Sequence, residues 1–188
     1  FYIVSFLWIA LFSGFYLLLQ NKNSSFKNLI IVAILFRCIF LFATPNLSQD
    51  FYRFIWDGRM LLNGFNPYLS LPETFIQLNL QPIAEASTLY DGMGELNGSH
   101  YTNYPPLNQF CFFIAALFAS KSVFGSVFVL RVLIILADIG ILYFGKKLLE
   151  RLNLPVKNIF WYLLNPFIII EMTGNLHFEP VMLFFLVW

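Results

Sequence analysis

Residues 1–19 carry no charged side chain, and that run constrains the chain more than any other feature. Roughly 20 apolar residues in an α-helix cover the hydrocarbon core of a bilayer, and a helix satisfies its own backbone polar groups there. Further apolar stretches are predicted to cross at about 28–44, 126–144 and 158–172, with another beginning at 181. The chain is 59% hydrophobic and 11% charged, with a mean hydropathy of +0.73, against about 25% charged residues in soluble domains. The fold class expected is therefore all-α, a polytopic transmembrane helical bundle. A net charge of +1 without a long basic run gives nucleic acid no footing. Cys38 and Cys111 sit inside apolar runs and read as small buried hydrophobes rather than a disulfide or metal pair. The chain opens at Phe1 and stops at Trp188 within an apolar run, so it is expected to be a piece of a longer protein, read as one N-terminal membrane module. The first run has no basic segment before it, which disfavours a signal peptide.

Charge in the short loops sets the expected topology. The turn at 20–27 carries Lys22 and Lys27 and no acid, and a second basic stretch follows the third run at Lys146, Lys147 and Arg151, with Lys157 close behind. Basic loops stay cytoplasmic. Both are placed inside if the 14-residue apolar segment near 107–119 lies in the interface rather than crossing, and that is the reading adopted. The segment 45–106 then becomes a large outer loop holding six of the ten acids.

Within that loop, Ser48-Gln-Asp-Phe-Tyr-Arg-Phe-Ile-Trp-Asp-Gly-Arg59 sets two carboxylates and two arginines among aromatic and aliphatic residues. A helix is predicted from Ser48, a favourable N-cap, with Asp50 in the first turn where the macrodipole favours a carboxylate. At about 100° per residue, Asp50, Arg53 and Asp57 share one stripe, expected to form the floor of an active site at a membrane surface. Asn63-Gly64 stops the helix. The composition of 69–101 predicts a loop with one short helix and a flexible tip at 91–99.

Charges within apolar segments mark function or internal pairing. Arg131 is placed where it can snorkel toward a headgroup or lipid phosphate, with Asp138 two turns deeper on the same face, whereas Arg37 and Asp138 each read as charges paired internally to hold helices together. His177 and Glu179, two apart in a polar segment on the expected outer face, suit contact with a phosphate or metal, a weak signal by itself. None of the phosphate-loop, dinucleotide, nucleophile-elbow or HExxH patterns of soluble enzymes is present.

Leu47-Ser-Gln-Asp-Phe-Tyr-Arg-Phe-Ile-Trp-Asp-Gly-Arg59, Gly64-Phe-Asn-Pro-Tyr68, Tyr104-Pro-Pro-Leu107, Leu130-Arg-Val-Leu with Asp138, Asn165-Pro166 and Gly174-Asn-Leu-His-Phe-Glu179 occur in that order. Together they resemble the membrane mannosyltransferases of the GT-C glycosyltransferase superfamily, in particular bacterial members related to the GPI-anchor and dolichol-pathway enzymes. The resemblance implies inverting transfer of a sugar, mannose by that likeness, from a polyprenyl-phosphate donor to a glycan, lipid or protein acceptor. It places the reaction on the non-cytoplasmic face, here the periplasmic side of a bacterial inner membrane. It maps the general base onto Asp50, with Asp57 as a second catalytic acid in support. Arg53, Arg59, Tyr104, Arg131, His177 and Glu179 become candidates for the donor phosphate and substrate. Many relatives have two adjacent acids, and Gln49 stands in place of the first. The superfamily's juxtamembrane helices agree with an interfacial 107–119. No soluble cofactor is implied, and a divalent metal stays possible. The competing readings are a transporter or lipid flippase, whose intramembrane charges would line a path, and a non-catalytic scaffold.

Overall fold

The apolar runs fold as helices, joined by turns, and the computed structural model describes residues 2–119 and 121–188 with no strand among them. The chain separates into two compact units, the first made of residues up to 43 and from 134 onward, the second of residues 44–133. Among the described residues, two helices are long and apolar enough to cross a bilayer, α1 (Tyr2–Gln20) and α7 (Val123–Arg151).

In the first unit, α1 fully buries only Phe15, packs Leu18 and Leu19 against the core, and leaves most of its apolar surface exposed. The Ser25 hydroxyl accepts the Asn28 amide at 3.1 Å and starts α2 (Phe26–Cys38). The predicted span at 28–44 is shorter as an α-helix than expected. Phe40, Leu41 and Ala43 continue it through successive amide bonds to the carbonyls three residues back, so about 20 Å of α-helix is extended by roughly 10 Å of tighter turn.

The predicted span at 158–172 is broken. It runs through a 3-10 turn (Val156–Ile159), the short α8 (Phe160–Leu163) and a π-helical segment (Ile168–Gly174) before α9 (Glu179–Val187). The cause is Pro166, which has no amide hydrogen to donate. Asn165 compensates on both sides: its amide donates to the Tyr162 carbonyl at 3.1 Å, and its side-chain oxygen accepts the Phe167 amide at 3.0 Å. That leaves the Leu163 carbonyl for Arg37 Nη1, at 2.6 Å. Arg37 Nε also donates to Asp138 Oδ2 at 2.6 Å, and the Tyr162 hydroxyl donates to Asp138 Oδ1 at 2.9 Å. Arg37 and Asp138 are therefore paired internally, with each other, and join α2, α7 and α8. Lipid tails are as apolar as leucine, so tight packing and such polar contacts must hold helices together. The packing runs through Phe15, Leu29, Ala33, Ile141, Phe160 and Leu163. Lys157 Nζ donates to the Ser24 carbonyl at 2.9 Å, and Lys146 lies 5.6 Å from the Phe26 ring centre. Both basic segments thus sit at one end of this unit.

The second unit is built on α3 (Asp50–Leu62), which packs against α5 (Ala86–Gly98) and α6 (Pro106–Ala119), with α4 (Pro72–Gln77) beside α5. Phe54 stacks on Phe112 at 4.5 Å and meets the Tyr104 ring edge-on at 4.9 Å. Gly58 permits the close approach of α3 and α6: a Cβ there would stand 2.2 Å from the Phe112 carbonyl oxygen. The predicted segment 107–119 is indeed one helix. The expected loop at 69–101 is largely helical, and its supposedly flexible tip forms most of α5, because Leu89 and Met93 are fully buried and anchor it. Cys38 and Cys111 are free thiols, half-buried and buried.

Candidate active site

The acid-base stripe predicted on α3 exists as a helix face, but its members have different surroundings. Gln49 rather than Ser48 occupies the cap position and makes no side-chain cap, while the Ser48 hydroxyl accepts the Asp50 amide at 3.3 Å. Asp50 is half-buried and lines an open polar cavity of about 520 Å³ formed by residues 45–52. Its Oδ1 accepts Asn97 Nδ2 at 3.0 Å, and Oδ2 has no hydrogen bond within the described chain.

One turn on, Arg53 is buried. Its Nε donates to Asp57 Oδ1 at 2.9 Å and its Nη1 to the carbonyls of Asn97 and His100 at 2.5 and 2.9 Å. Asp57 is fully buried and accepts Gln109 Nε2 on its other oxygen at 2.8 Å, with the Thr102 hydroxyl as a further donor. Gln109 donates its second amide hydrogen to Thr102 at 3.1 Å. Burial pushes the Asp57 carboxyl above its ordinary range, outweighing the lowering by Arg53 and the hydrogen bonds. Arg59, also buried, donates from Nη1 to the Ala84 carbonyl at 2.5 Å and to Glu85 at 3.1 Å. Burial lowers its pKa, opposed by Glu85.

These contacts correct the expectation of a charged floor. Arg53 and Asp57 are held by the end of α5, by α6 and by the chain between them, and Arg59 by residues 84–85 just before α5. The physical reason is that long apolar neighbours on α3, Phe51, Phe54, Ile55, Trp56 and Met60, are all buried, so the helix is surrounded and its charges must pair inside.

Tyr104 is half-buried, its ring packed on Phe54 and Phe112 and its carbonyl accepting the Tyr68 hydroxyl at 2.5 Å. Arg131 is fully buried on α7 rather than extended toward a headgroup, as intramembrane charges generally face the protein. His177 and Glu179 belong to the first unit. Buried Leu176 precedes them in the left-handed region at φ 63°. His177 is half-buried with its amide on the Met172 carbonyl at 3.1 Å, and Glu179 is exposed at the start of α9. Among the described residues no three His, Cys, Asp or Glu side chains gather to hold a metal.

Asn97, Thr102 and Gln109 were not singled out by sequence reasoning. Gln109 carried a signal, as one of two amides, with Asn108, in an otherwise apolar helix. Asn97 carried none, because its partner lies 47 positions away.

Residues 1–188 match the MptA_B family, described as alpha-(1->6)-mannopyranosyltransferase, N-terminal domain. The chain belongs to this family. It is accordingly a mannosyltransferase, and needs a sugar donor and an acceptor. No curated protein and no solved structure matches it. On α3, Asp50 is the half-buried carboxylate beside an open polar cavity.

Proposed function

We propose that this domain supplies the acceptor-activating carboxylate of an integral-membrane, GT-C-type mannosyltransferase, with Asp50 as general base. The observation that carries the reading is the contrast along α3. Arg53 and Asp57 form a buried pair and the buried Arg59 is held by an exposed Glu85, while Asp50 keeps one oxygen without a partner in the described chain and borders a cavity.

Asp50 takes the proton from an acceptor hydroxyl as that oxygen attacks the anomeric carbon. The bond from that carbon to the donor phosphate breaks, and the phosphate leaves with the electron pair. The linkage named for the family is alpha-(1->6), so the acceptor oxygen is a hydroxyl at position 6 of the acceptor. Inversion at the anomeric carbon then requires a β-linked phosphate donor. A polyprenyl phosphate is the leaving group that suits a membrane enzyme. The first unit has an apolar cleft of about 710 Å³ bordered by α1, residues 36–40 and the broken segment at 164–170, a volume within the range of single-ligand sites and apolar enough for a lipid chain. His177 and Glu179 are candidates for the donor head. The shared end of the basic segments is read as cytoplasmic and the 45–106 segment as periplasmic, on a bacterial inner membrane.

The donor test uses purified enzyme in lipid with an α-mannoside acceptor. Supplied with β-linked polyprenyl-phosphate mannose, it should form an alpha-(1->6) product. Turnover with nucleotide-linked mannose alone would overturn the proposed donor.

A further inference from the structure

We propose that Asn97 is the positioning residue for Asp50, holding one carboxylate oxygen so that the other is presented to the acceptor hydroxyl; this rests on the reading of Asp50 as base. Asn97 lies in the last turn of α5 and is gripped by α3 at both ends. Its side-chain Nδ2 donates to Asp50 Oδ1 at 3.0 Å, and its carbonyl accepts Arg53 Nη1 at 2.5 Å. Asp50 and Arg53 are one helical turn apart, so these bonds fix both the place and the rotation of the amide.

Arg53 is itself held. Its Nε is on Asp57 at 2.9 Å and its Nη1 also reaches the His100 carbonyl at 2.9 Å, while Asp57 is secured by Gln109 at 2.8 Å. The arrangement directs the nearest cation on the stripe toward Asp57 and two carbonyls. Asp50 meets a neutral amide on Oδ1 instead. A neutral donor orients a carboxylate while removing less of its basicity than a bound guanidinium would.

The backbone of α5 is shaped for this contact. Gly94 breaks the helix at φ 74°, ψ 164°, one turn before Asn97, and lies against the Gln49 side chain. That positive φ strains any residue with a Cβ. The last turn of α5 can therefore be set independently of the buried turns before it, which Leu89 and Met93 anchor.

The test compares Asp50→Asn, Asn97→Ala and the near-isosteric Asn97→Asp in the intact enzyme. Mannosyl transfer is followed against acceptor concentration and pH, with thermal midpoints recorded. We expect Asn97→Ala to lower kcat about 10- to 100-fold, the scale of a small misplacement of a catalytic group, with KM for the acceptor within about twofold. Asn97→Asp sets a like charge beside Asp50 and should move the acid limb of the pH–rate profile to higher pH. A purely structural asparagine would change the thermal midpoint and leave kcat of Asn97→Ala near the wild-type value. If Asp50→Asn abolishes transfer while both Asn97 variants keep the wild-type kcat and acid limb, Asn97 has no positioning role and the base assignment stands. If Asp50→Asn turns over normally, the base assignment fails and the Asn97 proposal falls with it.

Discussion

Asp57 and Asp50 lie on one face of α3 and illustrate how burial divides similar carboxylates into different tasks. Asp57 is fully buried and joined to Arg53, Gln109 and Thr102. Removing one partner of a buried ion pair costs about 3–5 kcal/mol, because the other charge is left uncompensated. We therefore expect Asp57→Leu to lower the thermal midpoint sharply, and Arg53→Met combined with Asp57→Leu to be less destabilising than Asp57→Leu alone. Additive losses on thermal denaturation would contradict that. The pH dependence has a definite sign. Burial holds the folded carboxyl above its ordinary value, so the folded state binds this proton more tightly than the unfolded state. The stability this group contributes is complete below the ordinary carboxylate range and is lost as pH rises through the raised value. Asp57→Asn should reduce that slope in a pH series of thermal midpoints. The stripe itself was legible in the sequence, since helical spacing alone aligns positions 50, 53 and 57. Which member stays open to solvent was not, because the chain that encloses Arg53 and Asp57 comes from residues 97–109.

At the scale of elements, local pattern located helices more reliably than it located their breaks. The charge-free run at 1–19 and the segment at 107–119 appear as single helices, because nothing within them interrupts apolar continuity. The 158–172 run breaks at Asn165-Pro166, and Pro166 was visible in the sequence; the use made of the freed Leu163 carbonyl, by Arg37 from a distant helix, was not. The 91–99 stretch misled for the opposite reason. Its glycines and polar residues suggest a loop, yet burial of Leu89 and Met93 holds a helix there with its kink at Gly94. Gly58→Ala tests the α3–α6 contact directly. Its Cβ would meet the Phe112 backbone at 2.2 Å, so the helices must separate, at a cost of about 1–3 kcal/mol. An unchanged thermal midpoint would mean that this contact is not tight.

For the whole molecule, the family makes the chain a mannosyltransferase, two of its helices are long and apolar enough to cross a bilayer, and the proposed topology rests on its charges. The contact of Lys157 with the Ser24 carbonyl brings the two basic segments to one end of the first unit; loop charge in the sequence likewise put both on one side. With Cys38 and Cys111 replaced by alanine, we expect Glu95→Cys to react with an impermeant thiol reagent from outside and Lys147→Cys only from the cytoplasmic side. The reverse pattern would invert the proposed topology. The central claim is that one carboxylate on α3 does the chemistry while its neighbours hold the helix in place. The most direct measurement is mannosyl transfer by Asp50→Asn in the intact enzyme, with folding followed by its thermal midpoint. We expect turnover to fall by about 100-fold or more with the midpoint unchanged; wild-type turnover from a well-folded variant would contradict the assignment.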